Sequence, residues 1–507
     1  MKVTITKNKV TSEYEARRGQ TILTFLQMNR IGGVEAPCGG MGRCGKCKVT
    51  VEGRGEVLAC RTLVADGMHI VLENEAQVKI AESGICHNDY PADGCEDLVA
   101  ACDIGTTTVV CHLIDGTSGE ILATKSAPNA QKSFGADVVS RIERAVAGDL
   151  EKMHDVITGQ INTMVRQLCA SCGRALPVER LTVAGNTVMC HLFAGLSPAS
   201  IGVAPFTPEE LFGKAYAGKS IGVDSCKTVE ILPCVAGYVG SDITADVLST
   251  VPETSDGQWL LLDIGTNGEM LLGNQKDGFV CCATAAGPAF EGAEITMGMP
   301  AAEGAIASVR YINKRLQVET IGKKEAIGIC GSGLLDTLAV LLANGLMDET
   351  GMLKEASEVS EELRSYVGTY EDQICVWLTD QVCVTQEDIR NLQLAKAAIA
   401  AGIEVLLKEK GFSYSDVTGV LLAGGFGSFL NKESAAAIGL IPKELLPVTE
   451  SVGNAAGEGA RLAAIAEDAR SHINEIQKKM RYLELSMHPF FSEIYMDCIN
   501  FVSYSEN

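Results

Sequence analysis

Alternation of hydrophobic and polar residues predicts a small α+β domain at the start of the chain. Residues 3–5 and 11–16 alternate as strands do, whereas residues 21–30 carry apolar side chains at helical spacing. A pair of glycines then ends the helix, and a further alternating strand runs through residues 49–51. We therefore expect one domain over residues 1–75.

Further along, one pattern occurs twice. Residues 98–110 and 260–271 each read as an apolar strand, a tight polar turn and a second strand. Both turns contain Asp-Ile-Gly-Thr, beginning at Asp103 and Asp263, which are 160 residues apart. This repeat predicts a duplicated β-hairpin. Such turns can present N–H groups and hydroxyls to phosphates while the aspartate approaches a magnesium ion.

A third pattern follows these hairpins. Residues 385–411 read as a long helix with an acidic first turn and a basic last turn, and residues 417–422 read as a buried strand. The strand ends in a Gly-Gly-x-Gly turn, which suits close backbone approach to a nucleotide and differs from the Rossmann fingerprint. The glycines of this turn are Gly424, Gly425 and Gly427.

Four cysteines mark the first domain as a metal-cluster candidate. Cys38, Cys44 and Cys47 lie in a glycine-rich loop, and Cys60 follows the next strand. Plant-type ferredoxins hold a [2Fe–2S] cluster with C-x4-C-x2-C and a distant fourth cysteine. The first gap here is five residues, which resembles the adrenodoxin variant of that loop. Zinc is the alternative, although a zinc site usually presents two C-x2-C pairs.

Composition limits the remaining possibilities. The chain has 507 residues, 19 cysteines and a formal net charge of −22. An odd number of cysteines in a long chain without a visible signal peptide favours free thiols in a reducing cytoplasm, with an anaerobic host as a plausible extension. No apolar stretch approaches the ~18 residues that cross a bilayer. The acidity argues against a nucleic-acid partner.

Other cysteines and charges are given simpler interpretations. Residues 76–97 are predicted to be a linker, and its Cys86 and Cys95 are interpreted as linker thiols. Cys169 and Cys172 form a lone C-x2-C and are interpreted as thiols on a helix face. The basic residues around the cysteine loop form either a solvated rim or a docking surface for an acidic partner; they are Arg43, Lys46, Lys48 and Arg54.

The hairpins and the Gly-rich turn together resemble the actin, sugar-kinase and heat-shock-chaperone ATPase superfamily. This resemblance implies a multidomain chain, in which a β-grasp ferredoxin domain precedes an α/β, two-lobed, actin-like ATPase with duplicated ribonuclease-H-like sheets. Lobe I would span residues 98–250 and lobe II residues 251–465, with a helical extension over 466–507.

The same resemblance assigns roles to individual residues, with ATP and Mg²⁺ bound between the lobes. The first phosphate loop would comprise Asp103, Gly105, Thr106 and Thr107, and the second Asp263, Gly265, Thr266 and Asn267. Asp103 and Asp263 would hold magnesium and orient the attacking water. The glycines Gly424, Gly425 and Gly427 would border the adenosine. Gly331 and Ser332, in a turn before an apolar helix, would lie in a connecting element between the lobes and also contact the cofactor.

A [2Fe–2S] domain fused to this ATPase resembles the reductive activators of corrinoid proteins. Several further stretches resemble that family; they are residues 134–142, 184–189, 287–292, 452–457 and 482–485. Longer members of the family carry an additional linker and middle domain, whereas here about 25 residues separate the cluster domain from the ATPase. The resemblance implies ATP-dependent, one-electron reduction of an inactive Co(II) corrinoid protein to Co(I) in anaerobic methyl transfer.

Two other functions stay open at this point. A small-molecule kinase with a regulatory ferredoxin module would phosphorylate a substrate without needing its cluster. An ATP-binding redox sensor or electron carrier would bind nucleotide without turnover. Activators of radical dehydratases share the ATPase fold but lack a separate ferredoxin domain. The low-potential electron donor is unknown, and a homodimer is possible.

Overall fold

The computed structural model describes most of the chain in two compact units. The described residues are 1–7, 10–29, 31–34, 36, 38–42, 45–72, 81–94, 98–427 and 429–502. The first unit comprises Met1–Ala76, Tyr90–Ala245 and Gly459–Asn474, and the second comprises Gln77–Asp89, Asp246–Glu458 and Glu475–Asn507. None of the helices within the described residues has the length and apolar character needed to cross a membrane.

The N-terminal domain folds as its hydrophobic pattern predicts. Its elements are β1 (Lys2–Lys7), β2 (Val10–Glu15), α1 (Ile22–Met28), β3 (Lys48–Val51), β4 (Gly55–Leu58) and β5 (Met68–Val71). The strands pair in the order β2-β1-β5-β3-β4. Thr21 caps α1 by accepting a hydrogen bond from the Thr24 backbone N–H at 3.1 Å. The alternating side chains Val3 and Ile5 are buried against this helix, with Phe25 at its centre.

The first predicted hairpin lies at the centre of a second sheet. This region contains β6 (Leu98–Ile104), β7 (Thr108–Asp115), β8 (Ile121–Pro128), α2 (Val138–Arg144), α3 (Leu150–Ser171), β9 (Val178–Gly185), α4 (Thr187–Ala194), β10 (Lys214–Ala217), β11 (Cys226–Ile231) and α5 (Ser241–Thr250). The sheet order is β10-β11-β9-β6-β7-β8. Strands β6 and β7 are antiparallel and β9 pairs parallel to β6, so the hairpin prediction is confirmed.

The second hairpin has an equivalent setting. This region contains β12 (Gln258–Ile264), β13 (Gly268–Asn274), β14 (Gly278–Thr284), β15 (Ala305–Ile312), β16 (Arg315–Thr320), β17 (Gly328–Ile329), α6 (Gly331–Ala343), β18 (Val367–Tyr370), β19 (Gln373–Trp377), β20 (Cys383–Thr385), α7 (Gln386–Lys410), β21 (Val417–Ala423), α8 (Gly424–Gly427), α9 (Lys432–Ala437), β22 (Thr449–Gly453), α10 (Ala455–Ile465), α11 (Glu467–Lys478), β23 (Met480–Tyr482) and α12 (Phe491–Asp497). Its main sheet has the order β22-β21-β12-β13-β14-β23. The run β8-β7-β6-β9-β11 in the first sheet matches β14-β13-β12-β21-β22 here, so the duplication extends beyond the hairpins.

The long helix α7 is confirmed almost to the residue, because its ends carry strong signals. Thr385 and Asp388 form a capping box, in which the Thr385 Oγ1 accepts from the Asp388 N–H at 3.2 Å and the Asp388 carboxylate accepts from the Thr385 N–H at 2.9 Å. At the other end Gly411 adopts a left-handed conformation with φ of +68°. The strand that follows, β21, is also confirmed.

The C-terminal segment differs from the helical extension that the sequence predicts. After α11, residues 480–482 form β23, which pairs parallel to β14 and extends the second sheet. Helix α12 then packs on α7, where the buried Lys396 Nζ donates to the Cys498 carbonyl oxygen at 2.8 Å. The segment contains the helices α11 and α12 together with the strand β23, which the sequence did not predict because three residues are too few to produce a recognisable alternation.

Candidate functional site: a cysteine loop and two phosphate loops

The described cysteines of the N-terminal loop lie close to one another. Cys47 is 1% exposed and immediately precedes β3, while Cys60 follows β4. The Ala59 N–H donates to the Cys47 carbonyl oxygen at 2.7 Å, which brings the two cysteines together. Burial, and then a hydrogen bond with the Cys47 thiol, raise the pKa of Cys60 to about 11. Cys38 also contributes to this rise, and Cys44 lies outside the described residues.

Two glycines show why this loop needs residues without side chains. Gly40 has φ of +84°, and a Cβ placed on it would lie 2.9 Å from the Leu23 side chain. Gly42 has φ of +76°, and its carbonyl oxygen accepts a 2.7 Å hydrogen bond from Arg61 Nη2. Larger residues would strain the backbone and force the loop away from the hydrophobic core.

The donor chemistry of this loop fits an iron–sulfur cluster. Across the described residues, no three His, Cys, Asp or Glu side chains are arranged around a single metal ion. A [2Fe–2S] cluster takes four thiolates around two irons. Cys38, Cys47 and Cys60 interact with one another, and the fourth thiol is outside the described part of the chain. Grouped thiols of this kind are the donors that such a cluster needs.

The basic rim has a member that sequence inspection missed. Lys46 is exposed, Lys48 pairs with Glu56 at 2.8 Å, and Arg43 lies outside the described residues. Arg61 is exposed, lies next to Cys60 in the chain and holds the cysteine loop through Gly42. Its positive charge opposes the rise in the Cys60 pKa.

The remaining cysteines that the sequence singled out are the pair Cys169 and Cys172 and the linker residues Cys86 and Cys95. Cys169 is 1% exposed within the core of the first sheet region, and Cys172 ends α3. Burial, followed by the neighbouring Cys172, raises the pKa of the Cys169 thiol, which leaves it protonated. Cys86 donates to the Asn88 carbonyl oxygen at 2.9 Å, and Cys95 lies outside the described residues.

The first candidate phosphate loop is the turn between β6 and β7. Its three carbonyl oxygens are held by two residues from elsewhere. Asn129 donates from Nδ2 to the Gly105 oxygen and from its backbone N–H to the Thr107 oxygen, both at 2.8 Å. Arg141 donates from Nη2 to the Thr106 oxygen at 2.6 Å. In a trans peptide the next N–H points opposite to the carbonyl, so this anchoring turns the N–H groups of Thr106 and Thr107 to the other side of the loop.

The strand beside this turn contributes a further contact. Gly185 is the register partner of Ile104, so the residue after it, Asn186, lies next to the turn. Asn186 Nδ2 donates to the Thr106 hydroxyl at 2.9 Å, and its Oδ1 caps α4 by accepting from the Met189 N–H at 2.9 Å. The same side chain therefore starts a helix and holds the loop.

Arg141 is a fully buried cation, with 0% of its surface exposed. It reaches the loop from α2, whose first turn is set by a capping box in which Asp137 Oδ1 accepts from the Ser140 N–H at 2.7 Å. Its Nε donates to the Gly135 carbonyl oxygen at 3.0 Å, and its Nη1 lies 2.9 Å from Met189 Sδ. A buried guanidinium is tolerated only when its N–H donors have hydrogen-bond partners. These contacts therefore fix the position of the Arg141 side chain.

The second candidate loop, between β12 and β13, has acidic neighbours. The Gly265 N–H donates to the Asn267 carbonyl oxygen at 2.9 Å, which closes the turn. The Thr266 hydroxyl donates to Glu291 Oε1 at 3.1 Å, and Asn267 Nδ2 donates to Glu269 Oε1 at 3.2 Å. The two carboxylates thus accept hydrogen bonds from the side chains of the loop. Glu269 is only 5% exposed.

The structure brings Asp263 and the Gly-rich turn together. Asp263 is the register partner of Ala423 in the parallel pair of β12 and β21. A Cβ placed on Gly424 would lie 2.1 Å from Asp263 Oδ1, and Gly424 has φ of +83°. Only glycine therefore fits beside the aspartate. Gly425 is exposed and Gly427 is buried.

The predicted connecting turn lies beside the same glycine-rich element. A Cβ on Gly331 would lie 1.8 Å from the Phe290 carbonyl oxygen and 2.7 Å from Phe426. The rings of Phe290 and Phe426 stack at 5.0 Å between centroids, so residues 287–292 and 424–427 meet at this turn. Ser332 donates its hydroxyl to the Ala307 carbonyl oxygen at 2.9 Å.

The residues that hold the loops were missed as site residues. Arg141, Asn186 and Glu291 each lie in a stretch that resembles the activator family, and that was the available signal. Asn129 and Glu269 lie outside those stretches. Their contacts depend on chain pairings that a single sequence does not display.

These features define a class of protein: a ferredoxin-type cluster domain joined to an ATPase of the actin and sugar-kinase kind. The family models agree with this interpretation. Residues 2–75 match a 2Fe-2S iron-sulfur cluster binding domain, residues 98–252 match the RACo middle region, and residues 258–506 match the C-terminal domain of RACo, the ASKHA domain. The chain belongs to the RACo family of reductive activators of corrinoid proteins, and the predicted multidomain fold class is confirmed.

Individual relatives support the family assignment. The corrinoid activation enzyme RamQ of Eubacterium limosum is 32% identical over an alignment covering 90% of this chain and 92% of that protein. The [Co(II) methylated amine-specific corrinoid protein] reductase of Methanosarcina barkeri is 25% identical, with 78% and 75% covered. A solved structure, the reductive activator for corrinoid,iron-sulfur protein, matches with a TM-score of 0.71 and 30% identity, covering 99% of this chain and 98% of that one.

One prediction about domain content is corrected by these comparisons. The short linker suggested that the middle domain of longer members is missing here. The RACo middle region instead matches residues 98–252, which include the first hairpin and its sheet. The region that contains the first hairpin therefore corresponds to that middle region.

Proposed function

We propose that this protein catalyses the ATP-dependent, one-electron reduction of an inactive Co(II) corrinoid protein to Co(I), in support of anaerobic methyl transfer. Membership of the RACo family supplies the class of activity, which is corrinoid-protein reductive activation in a chain with an ASKHA ATPase domain. The observation that carries the proposal is the presence, in one chain, of a cysteine loop and two candidate phosphate loops.

The need for ATP follows from energetics. A plant-type [2Fe–2S] centre has a potential near about −400 mV, and Co(I) corrinoids require a very low potential. Electron transfer from the cluster is therefore uphill unless a second source of free energy is coupled to it. Nucleotide binding or hydrolysis at the phosphate loops would supply that source.

Four cysteines would hold the cluster, whose chemistry is storage of one electron. Cys47 and Cys60 interact directly and would both be cluster ligands, and Cys38 and Cys44 would complete the ligand set. Because iron binds thiolates, Cys60 would hold the cluster in its deprotonated form, although burial raises the pKa of its thiol. The buried position of Cys47 would exclude water from one side of the cluster.

Each of the two loops would contact phosphate oxygens of a nucleotide. The N–H groups of Thr106 and Thr107 face away from the anchored carbonyls and would contact phosphate oxygens, as would the backbone N–H groups of Thr266 and Asn267 and the Thr266 hydroxyl. Asp103 and Asp263 would hold Mg²⁺. Gly105, Gly265, Gly331, Ser332, Gly424, Gly425 and Gly427 would allow the nucleotide to approach the backbone. Positioning and charge neutralisation supply most of the rate enhancement in phosphoryl transfer.

The partners follow from this chemistry. The electron acceptor would be a corrinoid protein, and a low-potential carrier would reduce the cluster. None of the cysteines in the described residues forms a disulfide, which suits a reducing cytoplasm. Lys46 and Arg61 flank the cysteine loop on its exposed side and would attract an acidic partner.

The test is anaerobic mixing of the cluster-loaded protein with a Co(II) corrinoid protein and a chemical reductant, with and without ATP. We expect the Co(II) absorption to disappear only when ATP is present. Asp103→Asn and Asp263→Asn should each abolish the ATP effect while the cluster spectrum stays unchanged. Asp224→Asn is the matched control, because Asp224 pairs with exposed Arg166 at 2.7 Å and lies in neither loop.

Two outcomes would overturn the proposal. One is reduction that proceeds equally well without ATP or in both aspartate variants. The other is ATP-dependent phosphorylation of a small molecule by protein that lacks the cluster, which would indicate a kinase.

A further inference from the structure

A single stretch of chain contacts both the first phosphate loop and the cluster domain. We call residues 129–144 the bridging segment; it contains a short 3-10 helix, Ala130–Ser133, and α2. Its first residue, Asn129, holds two loop carbonyls at 2.8 Å, and Arg141 holds the third at 2.6 Å. The bridging segment is therefore attached to every carbonyl of the turn over residues 105–107.

The same segment touches the cluster domain at two places. Gln27, in α1 and 8% exposed, donates from Nε2 to the Ser133 carbonyl oxygen at 2.6 Å. A Cβ placed on Gly39, in the cysteine loop, would lie 3.1 Å from the Phe134 carbonyl oxygen and 3.2 Å from Arg144 Cδ. The residue next to Cys38 therefore packs directly on the bridging segment.

Helix geometry places the two arginines of α2 on neighbouring turns of one face. Residues three apart in a helix lie on the same side, so Arg141 and Arg144 share one face of α2. Arg141 contacts the phosphate loop and Arg144 contacts the cysteine loop, where it also pairs with Asp149. The buried Nε of Arg144 has no hydrogen-bond partner within the described residues. A shift of α2 at one loop would therefore move a side chain at the other.

We propose that the bridging segment couples the nucleotide state of the first phosphate loop to the cluster domain, with Gln27 and Arg144 as positioning residues. The inference rests on the proposed function, since it requires ATP at that loop. Phosphate binding would draw the N–H groups of the turn toward the ligand. The three carbonyls move with them, and Asn129 and Arg141 carry this displacement to Ser133, Phe134 and Arg144.

Such coupling has a measurable thermodynamic signature. If nucleotide binding alters the cluster environment, then the oxidation state of the cluster must alter nucleotide affinity by the same factor. Coupling between sites typically amounts to about fivefold or more. For a one-electron centre, a fivefold ratio of affinities corresponds to a shift of about 41 mV in midpoint potential, at 59 mV per tenfold.

The experiment measures the affinity of the cluster-loaded, full-length protein for a non-hydrolysable ATP analogue with the cluster oxidised and with it reduced. We expect an affinity ratio of about fivefold or more in the wild type. Gln27→Ala and Arg144→Ala should each bring the ratio to within about twofold of one. Both variants should keep the cluster absorption and the electron paramagnetic resonance signal of the wild type. Potentiometric titration with and without the analogue gives the same quantity independently.

Lys152→Ala is the matched control, because Lys152 Nζ contacts Asp149 Oδ1 at 2.7 Å, as Arg144 contacts the same carboxylate. It should keep the wild-type ratio. The inference is overturned if Gln27→Ala and Arg144→Ala retain that ratio, or if Lys152→Ala loses it equally. A wild-type ratio of one, together with intact ATP-dependent corrinoid reduction, would overturn only the inference. Absence of nucleotide binding would overturn the proposed function and this inference with it.

Discussion

The two Asp-Ile-Gly-Thr turns have the same sequence and equivalent places in their sheets, yet their surroundings differ. The first is held through its backbone carbonyls by Asn129 and Arg141. The second is contacted through its side chains by Glu269 and Glu291. A cation and amides thus surround one loop, and carboxylates surround the other.

The parallel strand beside each turn adds to this contrast. In the first sheet β9 ends next to the turn and places Asn186 on the Thr106 hydroxyl. In the second sheet β21 ends in the same position and places Gly424 against Asp263. Duplication therefore preserved the strands and the turn while their neighbours diverged. The first loop is held through its backbone carbonyls, and the aspartate that precedes the second loop lies against a glycine.

The largest effect expected from this contrast is at Gly424. Alanine there would place a methyl group against Asp263 Oδ1 and strain a backbone with φ of +83°. Displacing a catalytic group by about 1 Å costs on the order of 100-fold in rate, so Gly424→Ala should reduce ATP hydrolysis by about that factor. A steady-state phosphate-release assay measures this change.

Gly411→Ala is the control for backbone strain alone. Gly411 has φ of +68°, and a Cβ placed on it would have no atom of the described residues within 4 Å. We expect a loss of about 1 kcal/mol in the free energy of unfolding and nearly unchanged hydrolysis. If the two variants hydrolyse ATP equally fast, the space beside Asp263 has no catalytic importance.

An intermediate effect is expected at Arg141, which anchors the first loop. Arg141→Met leaves the carbonyls of Thr106 and Gly135 without their donor inside the protein. Each unsatisfied buried group costs about 1–3 kcal/mol, so the free energy of unfolding should fall by about 3 kcal/mol. Arg166→Met, which removes a surface pair with Asp224, should change it by less than about 1 kcal/mol. Denaturant titration of both variants measures the difference, and equal values would contradict the anchoring role.

The smallest effect distinguishes the two threonines. Thr106→Val loses a buried hydrogen bond from Asn186, whereas Thr266→Val loses a bond to the partly exposed Glu291. Thr106→Val should lower the free energy of unfolding by about 1–2 kcal/mol, and Thr266→Val by about half as much. A larger loss of unfolding free energy in Thr266→Val than in Thr106→Val, measured in the same denaturant titration, would contradict the view that the first loop is the more firmly held of the two.

Much of the architecture was predictable, because it depends on local signals. The two hairpins, the α7 caps at Thr385 and Gly411, and strand β21 all follow from short-range periodicity and turn residues. Strand β23 was missed because three residues carry too little alternation.

The candidate site was predictable only in part, for a physical reason. The turns and the cysteine loop are local, so Asp103, Asp263 and the cysteines Cys38, Cys44, Cys47 and Cys60 could be proposed as site residues from their spacing. Asn129, Arg141 and Glu269 contact the loops through pairings of distant segments. Their side chains resemble ordinary capping or surface residues until those segments are packed together.

The sequence by itself determined that a four-cysteine loop and two phosphate-type turns occur in one chain, because glycine and cysteine spacing encodes local backbone geometry. Only the tertiary structure decided what each turn touches. Arg141 is 35 residues from Thr106 along the chain, and Gln27 is 106 residues from Ser133. Contacts at such separations form when buried strands and helices pack, and a single sequence does not specify which distant polar groups that packing brings within hydrogen-bonding distance.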